Sequence, residues 1–298
     1  MSIKFLAYLT ANDDRFYIKD LLNFTNMCKY NPGVEHMEVF VAISAVRPFD
    51  SRDVTYIKQL VSIFSNCPWV TLKKVILKGN VGRDFSSAYV CLKEIGKNAS
   101  DNDVVMVKNR SGYGPLYTGW FGAYEKLLSS DSVIGLVGST INFSNHPKAK
   151  YYGVSTHVQT YVYMSVWKHL AAMADIFPAV SCVDRVDLIV EGEIGLSRMF
   201  LNKGLALACL AWPDELFTRE RLTNPLLPQA DIKRKVKNVP IRYKFKSYGR
   251  WQVISKGLWV FSEKIKQGTK GEHDMLITYS TQYGDVGSNI KQLFPEWC

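Results

Sequence analysis

The feature that most constrains this chain is an alternation of strand-like and helix-like runs through its first two-thirds. Ile3–Leu9 is a β-rich run. Asp13 and Asp14 can cap the amphipathic stretch that follows, up to Lys29. Asn31-Pro32-Gly33 signals a turn. Met37–Ile43 is a second apolar run, followed by a helical pattern over Ser51–Phe64. Val70–Leu77 predicts a third strand, Asp84–Ile95 a helix, and Val104–Val107 a fourth, fully apolar strand. Thr118–Leu128 predicts a further helix and Val133–Val137 a further strand. This order predicts an α/β fold with a mostly parallel central sheet flanked by helices. In such sheets ligands bind beyond the carboxyl ends of the strands. The positions just after Leu9, Ile43, Leu77 and Val107 are therefore where chemistry is expected.

Composition narrows the partners. The 298 residues are 47% hydrophobic and 21% charged, which excludes a disordered chain and suffices for a core. Lys plus Arg number 37 against 27 Asp plus Glu, a net charge of +10. That balance favours an anionic partner: nucleic acid, a membrane surface or a phosphorylated substrate. None of the six cysteines forms a C-x-x-C pair. Cys91 and Cys209 lie in apolar stretches and read as small buried hydrophobes, so a reducing compartment is expected. No signal peptide or membrane-spanning window is legible. The expected location is cytoplasmic, with any membrane role peripheral. After about residue 215 the character changes. Pro225, Pro228 and Pro240 interrupt long elements, and residues 231–250 carry eight Lys or Arg against one Asp. We expect a main α/β domain over 1–215 and a basic C-terminal extension over 216–298, which can pack on the same domain.

Four segments carry candidate chemistry. Asn80-Val81-Gly82-Arg83-Asp84-Phe85 lies after a strand and opens a helix. Gly82 permits a tight turn, Arg83 could meet a phosphate, and Asp84 could accept from a ribose or base, or simply cap the helix. The strand Val104–Val107 then runs into Lys108, Asn109, Arg110 and Ser111, ahead of Gly112-Tyr113-Gly114-Pro115. Polar residues crowded at a strand end suit a diphosphate, or merely a chain reversal. Next, His157 and Gln159 alternate, so on a strand they would face one side. Last, Val190–Gly204 predicts a helix with Glu191 and Glu193 in its first turn and Gly204 at its end. A carboxylate at a cleft's lip can take a proton from a hydroxyl, although charge optimisation at the helix start explains these residues as well.

In order and spacing these segments resemble glycosyltransferases of the GT-A type, most closely the rhamnan-synthesis-F-like group. That family's N-x-G-x-D-F is similar to Asn80–Phe85. Its strand ending in N-[DS]-S-x-x-G-P is similar to Asn109–Pro115, its H-x-Q-S to His157–Thr160, and its E-x-G-L-S to Glu193–Ser197 with Gly204 following. Val137–Asn142 also resembles a segment found between the second and third motifs. The resemblance covers about residues 75 to 210. It implies a nucleotide-diphosphate sugar as donor and a hydroxyl of a glycan, or of a lipid-linked glycan, as acceptor. It implies Glu193 as the base of a single inverting displacement, aided by His157. Asn80, Gly82, Arg83 and Asp84 would hold the nucleoside. Lys108, Asn109, Arg110 and Ser111 would hold the diphosphate, with Gln159, His157 and Glu191 lining the rest. Asp13 and Asp14 could also meet the base.

Most GT-A enzymes carry Asp-x-Asp where this chain has Asn109-Arg110-Ser111. Asn and Ser are poor ligands for Mg²⁺ or Mn²⁺, so metal dependence is in question. Lys108 and Arg110 would instead neutralise the leaving group directly. Residues 231–250 could rest on anionic lipid. Two alternatives stay open: a nucleotide-sugar-binding protein without turnover, and an anionic-surface binder of membrane or nucleic acid. No RNP-like or helix-turn-helix signature supports nucleic acid.

Overall fold

The computed structural model describes residues 3–143, 154–223, 276–287 and 289–295. The basic stretch 231–250 lies outside these described residues.

Among the described residues the apolar runs form a nine-stranded sheet. Its strands are β1 (Lys4–Ala11), β2 (Met37–Ala45), β3 (Val70–Gly79), β4 (Val104–Asn109), β5 (Ile134–Gly138), β8 (Val162–Val166), β9 (Ala206–Cys209), β10 (Trp212–Phe217) and β11 (Leu276–Ser280). Two short strands, β6 (Ile141–Asn142) and β7 (His157–Val158), pair separately. The sheet order is β10-β9-β5-β8-β4-β1-β2-β3-β11. Five neighbours, β11, β3, β2, β1 and β4, are mutually parallel. β8 enters antiparallel between β4 and β5, and β10 antiparallel to β9. The expected mostly parallel sheet is thus the observed one, with two reversed strands that the apolar runs alone do not reveal.

Alternation within each strand builds two cores. In β1, Leu6 and Tyr8 face one side, while Phe5, Ala7 and Leu9 face the other, and all five are buried. The first side is covered by α1 (Tyr17–Lys29), α2 (Ser51–Ser65) and α4 (Trp120–Leu128). The second is covered by α3 (Arg83–Ile95), the short α5 (Trp167–Ala171) and a helical run ending in α7 (Gly195–Asn202). Each fully buried Leu or Phe contributes about 1.5–3 kcal/mol, which is why the strands read as continuous apolar runs. Cys91 and Cys209 are buried in the second core, and burial pushes both thiols up, Cys209 to about 12.

Helix starts are set locally. Asp50 caps α2 by accepting the Arg52 N–H at 2.9 Å, and Asp53 returns the favour to the Asp50 N–H at 2.7 Å. Such a cap is worth about 1 kcal/mol. The expected cap at Asp13 takes another form. Its carboxylate is taken by Arg15 at 2.7–2.8 Å, and a single 3₁₀ turn, Asp14–Phe16, precedes α1.

The chain returns late to the sheet. β11 lies parallel to the outer edge of β3, and the Val81 N–H donates to the Tyr283 carbonyl at 3.0 Å. A boundary near residue 215 would fall inside β10, and the sheet draws strands from both sides of it. No described helix is long and apolar enough to cross a membrane.

Candidate active site

The carboxyl ends of β1 to β4 open on one edge of the sheet, where four polar side chains meet. Asn109, the last residue of β4, faces α3. Its Nδ2 donates to Asp84 Oδ2 at 2.8 Å, and its Oδ1 accepts the Ser111 N–H at 2.8 Å. Asp84 does not cap α3. The N-cap is Gly82, in left-handed conformation at φ +71, where a Cβ would overlap the Val180 backbone. That frees the Asp84 carboxylate to turn toward β4.

Glu193 and His157 complete the group. His157 Nε2 lies 3.6 Å from Glu193 Oε2, ion-pair range rather than a hydrogen bond. His157 is 3% exposed, and its Nδ1 lies 2.8 Å from the Ser155 carbonyl. A carbonyl only accepts, so Nδ1 carries the proton and Nε2 is turned to Glu193. The Ser197 hydroxyl accepts the Val158 N–H at 3.0 Å, fixing β7 against α7.

Glu193 does not sit in a first helical turn. The helix begins earlier, at Arg185, because Asp184 accepts the Val186 and Asp187 N–H groups at 2.7 and 3.1 Å. Arg185–Asp187 (α6) then runs through a π-helical segment, Leu188–Ile194, into α7. Glu191 and Glu193 both lie in the π segment, a form frequent at functional sites. Gly192 between them packs where a Cβ would overlap the Phe85 ring, which brings this segment against the start of α3. Two residues apart on such a helix point to opposite flanks. Glu193 turns to His157, whereas Glu191 accepts from the Cys182 thiol at 3.1 Å. Burial, then Glu191, pushes that thiol up to about 11.

Electrostatics ties the group together. Asp84 is open to solvent by area, yet protein crowds it closely enough that desolvation raises its carboxyl above the usual range. The Asn109 hydrogen bond, Arg110 and Lys78 act the other way, and the Glu193 charge adds to the rise. Lys78 is a residue that the sequence pattern missed. It is the last residue but one of β3, on the same face as Ile76 and fully buried, and its Nζ donates to Ser44 Oγ at 2.9 Å and the Gly79 carbonyl at 2.6 Å. Desolvation lowers it to about 7, partly offset by Asp84. The available signal was its place in Val75–Lys78, where the apolar alternation continues into a charge. Asn12 was also missed. It is buried at the end of β1, accepts the Val46 and Arg47 N–H groups, and joins the ends of β1 and β2.

Lys108 and Arg110 correct the expectation of a cationic diphosphate clamp. Lys108 is one residue out of phase with Asn109, so it points into the opposite core. There it is fully buried, its Nζ donating to the Gly112 carbonyl at 2.7 Å and lying 4.9 Å from the centre of the Tyr8 ring. Desolvation holds its amine well below the usual lysine range. Arg110 is paired with the fully buried Asp20, which also accepts from Tyr8 and Thr10 at 2.7 Å. Arg110 holds the 110–114 loop to α1 through Asp20, and Lys108 holds it to β4 through the Gly112 carbonyl. Ser111 is exposed beside them, its carbonyl accepting from Lys19. Arg83 differs: it is exposed, at φ +42, and its guanidinium has no partner among the described residues. Asn80 is half-buried, and its carbonyl accepts the Arg83 N–H. Gln159 follows the last residue of β7, half-buried, and donates its N–H to the carbonyl of Thr140, its opposite number across the β6–β7 pair.

The donor set fits a hard cation poorly. Asn109 and Ser111 stand where a hard cation would want carboxylates, and no group of three or more His, Cys, Asp or Glu among the described residues is placed to hold a metal ion.

No family model matches the chain, and no curated protein matches it. Among solved structures, a 4-diphosphocytidyl-2C-methyl-D-erythritol synthase is 12% identical, over 79% of this chain and 98% of its own, with a TM-score of 0.38. The apo WbbM bifunctional glycosyltransferase is 13% identical, over 90% of this chain and 52% of its own, with a TM-score of 0.47. A cytidylyltransferase from Leptospira borgpetersenii serovar Hardjo-bovis is 12% identical, over 92% of this chain and 100% of its own, with a TM-score of 0.37. These are distant likenesses.

Proposed function

We propose that this chain is a GT-A type glycosyltransferase, nearest the rhamnan-synthesis-F-like group. It moves a sugar from a nucleotide-diphosphate sugar to a hydroxyl of a glycan acceptor. The observation that carries this reading is the meeting of Asp84 and Asn109 with Glu193 and His157 at the carboxyl ends of parallel strands. Glu193 takes the acceptor hydroxyl's proton as that oxygen attacks the anomeric carbon. The bond to the diphosphate breaks on the opposite face, its electron pair leaves with the nucleoside diphosphate, and configuration inverts. His157 lines the acceptor side next to the Glu193 carboxylate. Asp84 and the Asn80–Gly82 turn meet the nucleoside. Asn109, Ser111 and the unpaired Arg83 meet the diphosphate, in place of Lys108 and Arg110. Gln159 borders the sugar. Residues 231–250 would bring the enzyme to an anionic membrane carrying a lipid-linked acceptor.

A thermal-shift screen against nucleoside diphosphates and their sugars, with and without Mn²⁺, tests the reading. A ligand at 100 times its Kd adds about 2.7 kcal/mol. A protein that no nucleotide stabilises is not this enzyme. A second reading, binding without turnover, draws on the pairing of Arg110 with Asp20 and the burial of Lys108 on the Gly112 carbonyl, which withdraw both side chains from the diphosphate. Stabilisation by a nucleotide sugar with no product formed decides for it.

A further inference from the structure

The helix that carries Glu193 has a second, unassigned face. Glu191, Gly195, Arg198, Met199 and Asn202 recur at helical spacing and line a cavity of about 400 Å³. Its other wall includes Pro178 and Arg219, the latter opening the short helix α8 (Arg219–Thr223). The volume falls in the range of small-molecule sites, about 300–1,000 Å³.

The lining combines apolar surface with fixed positive charge. Arg219 Nη1 donates to Asn202 Oδ1 at 3.0 Å, which orients the guanidinium. Its Nε and Nη2 donors have no acceptor among the described residues. Arg198 lines the same space, and the one carboxylate in the lining, Glu191, accepts from the Cys182 thiol. Gly195 adds room. Its backbone is ordinary right-handed helix, and a Cβ there would make only ordinary contacts, at 3.6 Å to Val190 and 3.8 Å to Pro178.

We propose that this cavity binds a sugar-borne oxyanion, a carboxylate or a phosphate, with Arg219 as its principal ligand and the Met199–Pro178 surface against the sugar ring. Guanidinium forks match such oxyanions. Naming it the acceptor's anchor rests on the glycosyltransferase reading. Glu191 and Glu193 flank the same π segment, so the cavity backs onto the proposed base across one helix, about 10 Å wide. A glycan anchored there by an acidic sugar would have to reach round that helix to bring its reacting hydroxyl to Glu193.

The test titrates the full chain with glucuronic acid, glucose 6-phosphate and glucose, following chemical shifts or heat. Both anionic sugars, or one of them, should bind at least tenfold more tightly than glucose, and which one does so identifies the carboxylate or the phosphate. Arg219→Ala should cost that preference tenfold or more. Gly195→Leu, which fills the cavity without backbone strain, should remove binding while the protein stays folded by circular dichroism. Equal binding of the three sugars, or an Arg219→Ala variant that keeps the preference, overturns the site. Binding of nucleoside diphosphates is read separately on the same samples. Its failure in the wild-type protein sinks the transferase reading, while an Arg219-dependent preference for the acidic sugars still establishes the cavity.

Discussion

Asn109 donates its side-chain amide to the Asp84 carboxylate across 2.8 Å, joining the end of β4 to the first turn of α3. The two residues are 25 positions apart, and the bond forms only because Gly82 rather than Asp84 caps the helix. It holds a carboxylate where desolvation raises its affinity for a proton. Above the ordinary Asp range, ionised Asp84 therefore costs the fold stability. That cost is absent when the group is protonated in both states, grows as pH rises from the ordinary Asp range to its raised value, and levels off above it.

Asp84→Asn is accordingly expected to raise the melting temperature at pH 7 relative to wild type, with the gain shrinking as pH falls toward 4. The same substitution should weaken nucleotide binding, a trade of ligand for stability. Melting curves across pH 4–8, with and without a nucleoside diphosphate, check both parts.

Glu193→Gln should keep the fold and donor binding and lose about 10²–10⁴-fold in transfer rate. Glu191→Gln, whose carboxylate faces Cys182, should lose far less through the chemical step. Initial rates with a saturating donor compare the two, and equal rates for Glu193→Gln and wild type would remove the base.

Lys78 predicts a rising limb in the pH–stability curve. Its amine is at about 7 in the fold against 10.5 in the open chain, so between these values the unfolded chain binds the extra proton. Stability then increases with pH across that interval. Lys78→Met should flatten the limb, measured as urea midpoints at pH 6, 8 and 9.5.

Arg110→Ala should be a stability mutant rather than a diphosphate mutant. Leaving Asp20 buried without its cation costs about 3–5 kcal/mol. Chemical denaturation reads the loss. A folded, equally stable variant with weakened donor binding would return Arg110 to the diphosphate.

Transfer should survive EDTA because, of the hydrogen-bonded pair Asp84 and Asn109, only Asp84 offers a carboxylate. Full loss with EDTA, restored by Mn²⁺, would show that carboxylates elsewhere gather round an ion.

The strands were legible because burial on both faces writes them as apolar runs, as in Val104–Val107 and Met37–Ile43. Asp84 and Asn109 were legible as polar residues following such runs, whereas the family resemblance singled out His157 and Glu193. Three things were hidden. Lys108 and Asn109 are neighbours in sequence but face opposite cores, a matter of strand phase that a polar cluster does not display. Arg110 finds Asp20 ninety positions away, inside an otherwise ordinary helix. The π segment around Gly192 arises from close packing on Phe85, which residue propensities do not encode.

The late return of β11 sets an order of events during synthesis. The five parallel strands are not complete when Phe217 leaves the ribosome, and β3 waits with a bare edge for roughly sixty more residues. At about 5–20 residues per second that wait is roughly three to twelve seconds. Through that window the nascent chain exposes a strand edge that can pair with any neighbour. The final segment therefore seals the sheet against misassociation as well as buttressing the Asn80–Arg83 turn through Tyr283.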